Sequence, residues 1–149
     1  MAKFVYRMQN ILDIKSKLEN QASIAYGQAN AKLQEENEKL RQLFLRKSGY
    51  EAQAKELVNG KIDVSEIQTC RRAIESMKTL IRRQMLEVQV AEKNAEAARK
   101  RLTELMQDRK THEKLRENAL EEFMREQNYE DNKVVDELVS YTYGKKEKE

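Results

Sequence analysis

The chain has 149 residues, 37% of them charged and 39% hydrophobic, with no proline, no tryptophan and a formal net charge of +3. That composition does not build a layered globular core; it builds long helices. No run of about 18 apolar residues is present to cross a bilayer, and the first ten residues lack the basic start and apolar centre of a secretory signal. The single cysteine, Cys70, forms neither an internal disulfide nor, without a histidine cluster beside it, a metal site. The expectation is a cytoplasmic protein with no direct membrane insertion and no cofactor.

Apolar or small residues recur at alternating three- and four-residue steps from Phe4 through Met8, Ile11, Leu18, Ala22, Ala25, Ala29, Leu33, Leu40, Leu43, Tyr50 and Ala54 to Leu57, which predicts a first helix over about 3–57. The segment 58–63 follows. Its Asn59-Gly60 step supplies the positive φ of a tight reversal, and Asp63 with Glu66 forms a capping-box-like pair. A second helix is predicted over about 64–140, with a heptad seam at Ile67, Cys70, Ile74, Met77, Ile81, Val88, Ala91, Ala95, Ala98, Leu102 and Leu105, interrupted at Gln84. The charged residues 144–149 are expected to form a disordered tail.

So short a link makes antiparallel neighbours the natural arrangement. The expected fold is all-α: two long helices in one antiparallel coiled-coil hairpin over 1–143, with the second helix overhanging the first. Residue i then faces roughly residue 121 minus i. In that register Leu40 meets Ile81, Leu33 meets Val88, and the alanines at 22, 25 and 29 face those at 98, 95 and 91 in a narrow waist.

Two features exceed what a two-stranded seam needs. Near the turn, Phe44, Leu45, Ala73, Leu80, Met85 and Leu86 widen the apolar arc, and segment 39–83 carries 11 Lys/Arg against five Asp/Glu, a local net of +6. Beyond about residue 120 the second helix has no intramolecular partner, yet Leu120, Phe123, Met124, Val134, Val135, Leu138, Val139, Tyr141 and Tyr143 keep it amphipathic. Both read as binding surfaces. Catalytic patterns are missing: there is no phosphate-binding glycine loop or nucleophile elbow. The neighbouring acids Glu121-Glu122 and Asp136-Glu137 diverge by about 100° on a helix and do not converge on one substrate. His112 reads as a packed coil residue, and Cys70 as a buried, inert one.

The opening Phe4-Val-Tyr-Arg-Met-Gln-Asn-Ile-Leu-Asp13, the Asn59-Gly60 turn, the run Arg109-Lys-Thr-His-Glu-Lys-Leu-Arg116 and Lys133-Val-Val-Asp136-Glu137 occur in that order and together resemble the FliJ family, the small coiled-coil component of the bacterial flagellar type III export apparatus. The resemblance covers nearly the whole chain. It implies a non-enzymatic stalk similar to that of rotary ATPases, seated in the export ATPase FliI (with FliH) and contacting the cytoplasmic ring of the export gate FlhA, at the cytoplasmic face of the flagellar base. It also implies an escort role for export chaperones.

Carried over by position, the gate-binding stripe falls on Leu43, Arg46, Tyr50, Ala73, Met77, Leu80 and Gln84. Ala73 stands where the family can have an aromatic, and Arg46 where it can have a tyrosine. The ATPase-binding end falls on Phe4, Met8, Ile11, Phe123, Met124, Lys133, Asp136, Glu137 and Leu138. A generic coiled-coil adaptor, such as the stalk protein of a virulence injectisome, is the alternative. A nucleic-acid binder is disfavoured, because the basic residues are interspersed with acids and no aromatic-basic platform is present.

Overall fold

The computed structural model describes residues 2–147. It is all-α, with two long helices in antiparallel coiled-coil packing: α1 spans Gln9–Leu57 and α2 spans Val64–Glu147. The link turns at Gly60, whose φ of 109° lies in the left-handed region that glycine reaches without a Cβ penalty. Asn59 N–H donates to the Glu56 carbonyl at 3.0 Å as α1 ends. Asp63 then caps α2 by accepting from the Ser65 N–H at 3.0 Å.

Helix α1 begins at Gln9 rather than near residue 3. The run Phe4-Val5-Tyr6 is β-branched and aromatic, with low helix propensity and no capping side chain ahead of it. At the other end α2 continues through Gly144 to Glu147, into the stretch expected to be a disordered tail. A long helix extends at little cost, because its nucleus is already formed, and no proline stops it. Lys148 and Glu149, the rest of that tail, lie outside the described residues.

The chain divides into two compact units: residues 20–103, and residues 1–19 with 104–149. In the first, the core is Cys70, Met77, Ile81, Val88, Ala91 and Ala95 from α2, with Ala22 from α1. Every seam position expected on α2 of this unit is buried or half-buried. Cys70 donates its S–H to the Tyr50 carbonyl at 3.1 Å, and Gln84 reaches the Glu36 carbonyl at 2.8 Å. Both pairs lie within one residue of the expected register.

On α1 the alanine waist differs from expectation. Ala22 is buried and Ala29 half-buried, but Ala25 is exposed, and half-buried Tyr26 takes its turn. At 100° per residue Tyr26 lies nearer the centre of the stripe through Ala22, Ala29 and Leu33. The two alanines therefore respond differently to enlargement. Ala91→Leu, at a position only 4% exposed, should cost about 1–3 kcal/mol by overpacking, whereas Ala25→Leu should be nearly neutral in thermal unfolding.

In the second unit Leu12 is buried, and Ile11, Leu18, Leu105, Met106, Ala119 and Leu120 are half-buried around it. Here the pairing runs further along α2 than the sequence register gives. Lys15 Nζ meets Asp108 at 2.7 Å, and Phe4 meets Phe123 at 5.5 Å between ring centroids. Residues 2–8 are not helical. Each extended residue travels about twice as far as a helical one, which carries Phe4 past the helical register.

Candidate partner-binding surfaces

Within residues 20–103, the last turns of α1 and the first turns of α2 leave a shallow open groove of about 320 Å³, lined by Tyr50, Gln53, Leu57, Thr69, Cys70 and Ala73. Alongside it Leu80 is 38% exposed, and Phe44, Leu45, Met85 and Leu86 are more so. Arg46 is exposed, while Leu43, Tyr50 and Ala73 are half-buried. Arg71 and Arg72, with Ser76 and Thr79, line a second open depression.

Two residues of the expected gate-binding stripe are not surface groups. Met77 is 5% exposed and belongs to the core. Gln84 turns inward, donating from Nε2 to Glu36 Oε2 at 2.6 Å and to the Glu36 carbonyl at 2.8 Å. Both were placed by family position, which does not distinguish a seam residue from its flanking neighbour. The outward face is formed by Arg46, Tyr50, Ala73 and Leu80.

The Gln84–Glu36 pair explains the gap in the α2 seam, because α1 lacks an apolar seam residue at the same level, between Leu33 and Leu40. Glu36 is 4% exposed, with Lys32 Nζ at 2.8 Å and Lys39 Nζ at 3.4 Å. The Lys32 ammonium, then the Gln84 amide, hold its carboxyl at about 2, well below the usual carboxylate value. A depressed folded-state value means a stabilisation present above the ordinary carboxylate range and lost as pH falls towards 2. The thermal midpoint should therefore drop on acidification through that window, and Glu36→Gln should show a smaller drop.

In the unit of residues 1–19 and 104–149, the family-like run 109–116 does structural work. Arg109 forms an ion pair with Glu19, and its Nη1 also reaches Glu113 at 2.7 Å. Arg116 Nε donates to Gln9 Oε1 at 2.9 Å, and its guanidinium lies 5.7 Å from the Phe4 ring centroid. Lys15 beside Asp108 holds that carboxyl below its usual value. These residues fasten the start of the chain to α2, a role the sequence reading did not give them. Arg109 and Arg116 are seven residues apart and hence on one helix face, which was the available signal. Half-buried His112 has Nε2 3.5 Å from Asp108, and its buried Nδ1 has no partner.

Of the expected ATPase-binding residues, Phe4 and Phe123 are half-buried against each other and Ile11 is half-buried in the packing. Met8, Met124, Lys133, Asp136, Glu137 and Leu138 are exposed. From Asn128 to Lys145 every residue of α2 is exposed, including Tyr129, Val134, Val135, Leu138, Val139, Tyr141 and Tyr143. This is the uncovered overhang.

Among the described residues no group of three or more His, Cys, Asp or Glu is placed to hold a metal ion, and no helix is long and apolar enough to cross a membrane. Two apolar faces are left exposed among the described residues, the kind of surface that partners cover. The family model described as Flagellar FliJ protein matches residues 4–148, nearly the whole chain. The chain belongs to the FliJ family, a family of non-catalytic components of the flagellar export apparatus, and so has a flagellar export-related role. No curated protein and no solved structure matches it.

Proposed function

We propose that this chain is the stalk and adaptor of the flagellar export apparatus, linking the export ATPase FliI (with FliH) to the cytoplasmic ring of the gate FlhA at the cytoplasmic face of the flagellar base. In this reading it promotes assembly of the ATPase ring and escorts export chaperones. The observation that carries the reading is the α2 overhang, where Val134, Val135 and Leu138 are each more than half exposed among the described residues. A second, chemically different surface lies beside the turn in the other unit, so two partners are held by separate side chains. The direct test is to add the chain to purified FliI and follow ring assembly and ATP hydrolysis, both of which should rise.

The arginines beside the turn act on approach. Reversing Arg82 and Arg83 to Glu should slow association with the FlhA ring, most at low salt, and leave dissociation nearly unchanged, because rim charges steer encounter more than they hold a complex. Stopped-flow binding over a salt series separates the two rates.

A further inference from the structure

We propose that the uncovered, acidic overhang of α2 docks antiparallel onto the basic, turn-proximal face of a second copy of this chain. Segment 39–83 carries 11 Lys/Arg against five Asp/Glu, whereas segment 121–139 carries seven Asp/Glu against two Lys/Arg. Several of these charges have no partner among the described residues. Among the described residues Arg46, Arg71, Arg72, Arg82 and Arg83 form no ion pair, and neither do Glu126, Glu130, Asp131, Asp136 and Glu137. By contrast Arg41, Arg99 and Arg109 each have a carboxylate partner.

The spacing also matches. Arg72 and Arg83 lie on the same flank of exposed Leu80, and Glu126 and Glu137 lie on the same flank of the stripe through Val134 and Leu138. The members of each pair are three turns apart, about 16 Å along a helix axis. Antiparallel helices present like flanks to one another, so Glu137 meets Arg72 and Glu126 meets Arg83. Val134 and Leu138 then come over Ala73 and the groove beside Tyr50 and Cys70. Apolar meets apolar and acid meets base along the same contact, and both halves of the match are written into one sequence. In the proposed dimer each copy offers both surfaces and the contact is made twice. A free pool of the chain thereby covers both of its docking surfaces, and either partner must displace the second copy to bind.

The test is sedimentation velocity of the full-length chain over a concentration series at about 50 mM and about 500 mM salt, where screening differs severalfold. A dimer at low salt that dissociates at high salt is expected. R72E/R83E and E126K/E137K should each weaken self-association at least about tenfold. Their equimolar mixture should restore it, because the reversed face of one then meets the reversed overhang of the other. All four side chains are exposed, so circular dichroism should be unchanged in both variants. A chain that stays monomeric at low salt overturns the proposal. So does a dimer indifferent to both reversals, which would use another face, or a mixture that fails to recover association.

Discussion

A chain cut after Asn128 should lose its hold on FliI by about a hundredfold or more and leave ATP hydrolysis at the rate of the ATPase alone. The cut removes the uncovered turns bearing Val134, Val135, Leu138, Val139 and Tyr141, all about half exposed or more. It keeps the tilted Phe4–Phe123 contact, the Arg116–Gln9 bond and the Lys15–Asp108 pair that close the unit they belong to. The remaining residues should therefore stay helical. Binding to the FlhA ring should survive, because the turn-proximal surface lies in residues 20–103, which the cut does not touch. Full ATPase stimulation by the shortened chain would remove the overhang from the interface.

The converse variant, Tyr50→Ala with Leu80→Ala, should weaken binding to the FlhA ring by about 2 kcal/mol or more while leaving ATPase stimulation intact. Leu80 is 38% exposed and flanks the seam without filling it. Tyr50 lines the open groove, and it is its backbone carbonyl that accepts from Cys70, so the truncated side chain leaves that bond in place. The cost to folding should be small and the cost to docking large. Calorimetry with the gate ring measures the second, and circular dichroism with thermal melting measures the first. Unchanged affinity with an intact fold would return both residues to the role of broadened core.

The features legible in the sequence were those with a strong local cause. Gly60 has the positive φ that the Asn-Gly step implied, and Asp63 caps α2. The heptad residues of α2 are buried or half-buried where a period of three and four places them. What was not legible depended on the partner strand of the coil. The gap at Gln84 became intelligible only when Glu36 was found opposite it, since a polar seam residue is acceptable only with its hydrogen bonds met. Ala25 and Tyr26 compete for one place in the stripe, and small size argued for the wrong one. The pairing of Phe4 with Phe123 depended on the non-helical conformation of residues 2–8, which a heptad count continued from α1 does not capture.

The residues named by family position fall into two sets, exposed ones and seam ones. Arg46 and Leu80 are outside, whereas Met77 is 5% exposed and Gln84 is bonded to Glu36. The same distinction applies to the run 109–116. Arg109 pairs with Glu19 and Arg116 bonds to Gln9, so Arg116→Ala should loosen the start of the chain.

The central claim is that one chain holds the export ATPase and the export gate through separate surfaces, one on the α2 overhang and one beside the turn. It is tested most directly by sedimenting the full-length chain with purified FliI and the FlhA cytoplasmic ring together. A ternary complex heavier than either binary complex, lost with the gate alone for Tyr50→Ala/Leu80→Ala and with the ATPase alone for the cut after Asn128, is the predicted result. Displacement of FliI by saturating FlhA ring, with only binary complexes at every ratio, would contradict it.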